Sequence, residues 1–444
     1  MSIAITQTIH VLQIIVQAVP VGTNLALLQL MWTMINGTFL QSRGAIFPAL
    51  RANEFTAQES YRIWGAFRHG VWRSNEMVGR WRSHVMREGQ WVNHSYEGYR
   101  PVAVDWTAIW RFKLQGWTGK LFNGLLGRAV SGVGFGLICD VGHVTGQRMP
   151  LLRQIIRTSE KDRSEAKLKI DTLHWVGHHL DENEVAIIDG GVELSDMHQM
   201  KIPRFVIRLA LNCTARRNYL PQYKGRGCRP KWGEKVRPLS RTRLESEIEA
   251  TPADKCQTIH YQGRKIEAQG WSELILPSCK PGETFTIWAF FDPFYKTPLL
   301  LGTNLAQAQP LTIFSLYLDR WPVEQIPLVA KQMLGLHRQF VFAPESCHRL
   351  PELAFLLGNV LTYLAAVLPP LPTGFWDRHP KKRQGVCVEP YQLRNFLLMP
   401  FLTPNFAKRH QLLPIYLKVW RLIAVKRLHL NGSHQFDSVF QPIF

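Results

Sequence analysis

The first 42 residues carry no charged side chain, and Arg43 is the first. Gln7, Thr8, His10, Gln13 and Gln17 interrupt the apolar run, and Pro20 follows it. No uninterrupted apolar stretch of about 18 residues occurs and no basic segment precedes one. The pattern therefore predicts helices buried in the protein or against a partner, not a membrane span. From Phe55 to Glu88, Trp64, Phe67, Trp72 and Trp81 alternate with Arg62, Arg68, Arg73, Arg80 and Arg82 at mostly helical spacing. That spacing predicts aromatic faces turned into a core and arginines free to meet phosphate. Residues 1–98 read as an all-helical region for DNA binding or oligomerisation.

Beyond residue 98 the period changes. Val102-Ala103-Val104-Asp105-Trp106 is an apolar strand pattern with one acid set into it. Residues 128–148 interleave Gly132, Gly134, Gly136, Gly142 and Gly146 with Val, Phe, Leu and Ile, which predicts paired strands with a turn near Asp140–Gly142. Ser159 to Leu180 is charged and periodic, a helix with Thr158 or Ser159 as its cap. Glu184 to Gly191 reads as a buried strand ending at Asp189 and followed by a turn; Arg204 to Leu211 reads as another strand. Together these segments predict a mixed α/β sheet with flanking helices.

Residues 212–310 are expected to form a β-rich basic insertion, with strands near 257–267, 271–277, 284–291 and 298–303. Residues 99–211 and 311–370 would then be two parts of one core, the second ending on an apolar helix from Leu350 to Leu368. Residues 371–444 read as a basic helical region with Arg378, Lys381, Lys382 and Arg383 and a helix around 411–427.

Charge narrows the choice of partner. Lys and Arg number 53 against 33 Asp and Glu, a net +20, which points to nucleic acid or an anionic membrane surface. Ten of the bases (Arg216, Arg217, Lys224, Arg226, Arg229, Lys231, Lys235, Arg237, Arg241 and Arg243) fall between Ala215 and Arg243 with one acid, Glu234. An arm so one-sided in sign predicts an anionic partner. The seven cysteines are scattered without a C-x-x-C pair, as suits a reducing compartment.

Three acids carry the candidate chemistry. Asp105 and Asp189 each stand alone in, or at the end of, an apolar strand, where a carboxylate is costly unless paired or bound to a metal. Taken singly, each reads first as a strand-end cap or turn residue. The third is Glu324, in a stripe with Tyr317, Arg320 and Lys331 at offsets 0, 3, 7 and 14. On one unbroken helix these four would share an arc of about 60°. Pro327 has no N–H for a helix interior, whereas Pro322 suits a first turn, so the helix is expected to start at Pro322 with Tyr317 and Arg320 on its approach. Two strand-borne acids joined by one from a helix make an oxygen-rich site for Mg²⁺ or Mn²⁺, and two such ions suit in-line phosphoryl transfer. His174, His178 and His179 read as a polar helix face, because no nearby Cys or acid completes a zinc set.

In this order of parts the chain resembles the DDE transposases of bacterial insertion sequences, in the subgroup with a Y-x2-R-x3-E-x6-K signature. Tyr317, Arg320, Glu324 and Lys331 match it at every spacing, and Trp321 follows the arginine. Asp105 in Val-Asp-Trp-Thr, Asp189 in Ile-Asp-Gly-Gly, the Phe205–Arg208 strand and the Leu299–Asn304 segment match as well, so the likeness covers residues 100–365. The resemblance implies a ribonuclease H-like core in which Asp105, Asp189 and Glu324 are the catalytic residues and hold two Mg²⁺ or Mn²⁺ ions. It gives Tyr317, Arg320 and Lys331 to phosphates at the transposon end.

The reaction implied is strand hydrolysis at the terminal inverted repeats, then 3′-OH strand transfer into target DNA, by a homodimer in a synaptic complex. The expected place is the bacterial cytoplasm, at the nucleoid, without a membrane. Arg216, Arg217, Lys224 and Arg226 of the arm are expected on double-stranded DNA. One position departs: Pro298 stands where members that cut through a DNA hairpin place a tryptophan, and Trp271 and Trp288 are expected to stack in the β core. The alternatives are a DNA-binding protein derived from a transposase that lost turnover, and a membrane-peripheral protein using the apolar N-terminus.

Overall fold

The uncharged N-terminal stretch is helical. In the computed structural model, which describes residues 3–110, 119–158, 162–223, 225, 227–243, 246–277, 283–336, 345–369, 392–394 and 397, it forms α1 (Ile3–Ile15) and α2 (Asn24–Ile35). The helices α3 (Thr38–Gln41), α4 (Ile46–Ala52), α5 (Ala57–His69) and α6 (Ser74–Glu88) follow. Thr56 and Glu59 start α5 with a reciprocal capping box, which satisfies two otherwise orphan backbone donors. The aromatic–basic alternation resolves as expected: Phe67, Trp72 and Trp81 are buried, while Arg62, Arg68, Arg73 and Arg80 are exposed.

The chain divides into two compact units, Met1–Trp91 with the residues from Ile326 onward, and Val92–Gln325. The second unit holds a mixed α/β sheet. Its first strands are β1 (Trp91–Asn93, at the boundary), β2 (Arg100–Trp110), β3 (Gly119–Asn123), β4 (Arg128–Val144) and β5 (Gln147–Arg157). After α7 (Glu165–His179) come β6 (Glu184–Ile188), α8 (Leu194–Gln199) and β7 (Phe205–Arg208). The central order is β5-β4-β2-β6-β7; β5, β4 and β2 are antiparallel neighbours, and β2, β6 and β7 run parallel.

Alternation along β6 loads both faces of the sheet. Ala186 and Ile188 join a core with Leu173 and Val176 of α7, whereas Val185 and Ile187 join a second core containing Phe314 and Tyr317. Purely apolar strands are what two covered faces require.

Two expected boundaries move. The turn lies at Thr145–Gly146, with φ +49° and +80°, not near Asp140–Gly142. A two-residue hairpin turn needs such left-handed positions, while Gly142 sits inside the ladder opposite Met149. The helix begins later than expected, at Ser164, whose side chain accepts from Lys167 N at 3.2 Å. Thr158 instead donates its N–H to Gly134 O at 3.4 Å; Ser159 lies outside the described residues. The helix α7 comes close to β4 because a Cβ on Gly136 would stand 2.3 Å from Thr172 Oγ1.

The insertion is β-rich; all its strands continue the same sheet except β10 and β11, which pair only with each other. It comprises β8 (Ala215–Arg217), β9 (Lys235–Val236), β10 (Arg241–Arg243), β11 (Ser246–Ile248), β12 (Lys255–Tyr261), β13 (Arg264–Ile275), β14 (Phe285–Phe291) and β15 (Leu299–Thr303). The segment expected as one strand at 257–267 is a hairpin turning at Gln262–Gly263, both with positive φ. The strand β15 pairs with β14 on one side and β7 on the other. Trp271 and Trp288 are buried in this sheet, and Trp271 Nε1 donates to Thr251 O and Pro252 O, each at 3.0 Å.

After β15 come α9 (Pro310–Leu318), a short 3₁₀ segment (Trp321–Glu324), α10 (Gln325–Gln332) and α11 (Ser346–Val367). The expected Leu350–Leu368 helix is α11, and it packs with the N-terminal helices. Trp81 Nε1 donates to Asn359 Oδ1 at 2.9 Å, and Tyr363 OH donates to Glu88 Oε2 at 2.9 Å. An apolar helix shows that it must be buried, not against what. By length and hydropathy α11 would suffice to cross a membrane, yet 94% of its most apolar window is buried inside the protein. The region 371–391, including Arg378, Lys381, Lys382 and Arg383, and the helix expected at 411–427 lie outside the described residues.

Candidate active site

Strand register brings two of the acids together. In the parallel pair β2–β6, Val104 lies opposite Ile188. The next residues along these neighbouring strands are Asp105 and Asp189, on strands about 4.8 Å apart. Asp105 is half-buried, and its carboxyl is pushed up to about 6, first by burial and then by the charges of Glu324 and Asp189. The Trp106 backbone N–H and the Arg320 charge pull the other way. Asp105 is therefore close enough to feel both of the other predicted acids.

Arg320 links them. Its Nη1 donates to Glu324 Oε1 at 2.6 Å, and its Nη2 lies 3.5 Å from Asp189 Oδ2. Burial alone would lower its basicity, but the Glu324 bond and the Asp189 charge hold it above the ordinary arginine range. Tyr317 OH donates to Asp189 Oδ1 at 2.9 Å, and burial with that neighbour pushes the phenol up to about 12. Tyr317 thus stays a donor at neutral pH. Arg208 Nη1 lies 3.6 Å from the same oxygen, with its side chain half exposed.

The four signature residues do not share one helical stripe. Tyr317 sits in α9, which ends at Leu318, and the chain then passes through i→i−3 bonds: Asp319 N to Leu316 O at 3.1 Å, Arg320 N to Tyr317 O at 3.0 Å, and Val323 N to Arg320 O at 3.2 Å. Pro322 has no N–H to offer Leu318, and the tighter turns absorb the break. Glu324 ends the 3₁₀ segment, as expected for a helix restarting at Pro322. Lys331 lies in the last turn of α10 and belongs to the helical unit.

The basic arm is partly spent inside the fold. Arg217 makes a two-pronged pair with Asp254, at 2.6 Å from each nitrogen, and donates again to Ser272 O at 3.1 Å. Arg216 Nη1 donates to Gly233 O at 3.2 Å. Lys224 and Arg226 lie outside the described residues. His178 and His179 turn their Nδ1 atoms to His174 O and Trp175 O, at 2.8 and 2.7 Å, in keeping with a polar helix face.

Arg208 and Asp319 also face acids or bases here, outside the residues expected at the site. Arg208 had a visible signal, a base closing the apolar run Phe205-Val-Ile beside the second acid.

The donor chemistry fits a hard divalent ion: three carboxylates whose repulsion already raises Asp105. Among the described residues no three His, Cys, Asp or Glu side chains yet converge on one point. It is the Arg320 guanidinium that pairs with Asp189 and Glu324. No protein-family model matches the chain, and no curated protein matches it significantly.

Proposed function

We propose that this chain is a DDE-type DNA transposase with a ribonuclease H-like core. The observation that carries the reading is that the parallel β2–β6 register sets Asp105 and Asp189 at neighbouring positions, while Arg320 pairs with both Asp189 and Glu324. The strand order β5-β4-β2-β6-β7, antiparallel first and then parallel, supports the core assignment. Asp105, Asp189 and Glu324 would hold two Mg²⁺ or Mn²⁺ ions, which when bound supply Lewis acidity and charge neutralisation for phosphoryl transfer.

The chain's own groups do the rest. Tyr317 holds Asp189 through its hydroxyl, and Arg320 and Arg208 supply cations beside the carboxylates for the scissile phosphate. Lys331 is assigned to the transposon-end phosphates by its place in the signature. The reaction is hydrolysis at the element's ends, then strand transfer of the freed 3′-OH into target DNA, by a homodimer that pairs two ends.

The test is cleavage of duplexes carrying the repeats that flank the coding sequence, with Mg²⁺, by wild type and Glu324→Gln. The expected result is cleavage by wild type and a loss of at least about 100-fold in the variant, with DNA binding kept. Full cleavage by the variant sinks the catalytic assignment. Binding without cleavage by wild type favours the silent DNA-binding protein.

A further inference from the structure

Asp319, the residue before Arg320, takes no part in the contacts just described, yet it is fully buried. Its Oδ2 lies 2.7 Å from His94 Nδ1 and accepts from Tyr96 OH at 2.9 Å. Arg148 Nε of β5 stands 3.0 Å from Oδ1, an ion pair too bent to count as a hydrogen bond. Arg148 is itself tied down, because its Nη2 donates to Tyr261 OH of β12 at 3.1 Å. A buried carboxylate with three polar partners resists displacement, since moving it strands a charge without water.

Neighbouring residues thus send their side chains into two separate networks. Asp319 goes to His94, Tyr96 and Arg148; Arg320 goes to Asp189 and Glu324. They meet at the two residues between α9 and the 3₁₀ segment, where Asp319 N and Arg320 N are held by i→i−3 bonds. We propose that Asp319 is a positioning residue: its buried network pins this break and so fixes the direction from which Arg320 reaches Asp189 and Glu324. The inference rests on the transposase reading only in calling that site catalytic.

Trp321 gives a readout independent of activity, because the Arg320 guanidinium carbon lies 5.1 Å from its ring centre. The full chain is labelled with 5-fluorotryptophan and the Trp321 resonance identified with Trp321→Phe. Without metal or DNA, Asp319→Asn is expected to move that resonance towards its position in Arg320→Gln. Tyr96→Phe, which removes one hydroxyl and keeps the ring, is expected to move it part of the way and serves if Asp319→Asn does not fold. A Trp321 resonance unmoved in the folded variants overturns the proposal.

In the cleavage assay, Asp319→Asn is expected to lose about 100-fold in rate with DNA affinity unchanged. Placed on Arg320→Gln, it is expected to cost nothing further; full additivity means a merely structural role and overturns the inference. If wild type cleaves no DNA, the transposase reading falls, and the resonance alone decides this one.

Discussion

Replacing Asp105 with asparagine separates charge from shape at the centre of the site. The Asp105 carboxyl sits at about 6 instead of 3.8, through burial first and then through Glu324 and Asp189. An acid raised in this way keeps its proton in the folded protein where the unfolded chain has lost it. Its contribution is therefore most favourable below about pH 4 and is lost as pH rises through about 6. A shift of about two units corresponds to ~3 kcal/mol at full strength, and solvent screening of a half-buried group leaves about 1–2 kcal/mol.

Asparagine removes the deficit. In melts of the full chain without divalent ions, the transition of the unit spanning Val92–Gln325 should rise by about 2–8 °C in Asp105→Asn at pH 8 and should not rise at pH 4. Added Mg²⁺ should stabilise wild type at pH 8 and do little for the variant. An Asp105→Asn protein that melts below wild type at pH 8, or a difference equal at both pH values, would refute the electrostatic account.

Other outcomes follow from packing and pairing. Gly136→Ala places a methyl 2.3 Å from Thr172 Oγ1 and should cost about 1–3 kcal/mol in denaturant unfolding; an unchanged midpoint would mean that α7 stands further off the sheet. Arg217→Gln breaks the pair with Asp254 and should cost about 1 kcal/mol while leaving the salt dependence of DNA binding as it was. A salt slope reduced by about one would return Arg217 to the interface.

Asp105 and Asp189 were legible because each breaks the pattern around it: an ionisable group in an apolar strand needs a reason. Tyr317, Arg320 and Glu324 were legible by spacing, though their helical geometry was not, because Pro322 and the i→i−3 bonds redirect the chain. Partners distant in sequence were invisible. Arg217 counts as one more positive charge until Asp254, 37 residues on, is found against it. Asp319 looks like a helix-end acid until His94, 225 residues away, closes on it. The hairpin turn was missed for a different reason: among five glycines, composition does not say which one lies at positive φ.

The route by which the insertion joins the core limits how the protein can be shortened. Leu301, Gly302 and Thr303 of β15 lie opposite Arg208, Ile207 and Val206 of β7, one strand from the end of β6 where Asp189 stands. Excising residues 212–310 would strip that partner and leave Phe-Val-Ile-Arg as a bare sheet edge, ready to template pairing with other chains. A trimmed protein that resists edge-to-edge aggregation must keep β15 with a cover for its far side, so the insertion doubles as the selvedge of the fabric that holds the second aspartate.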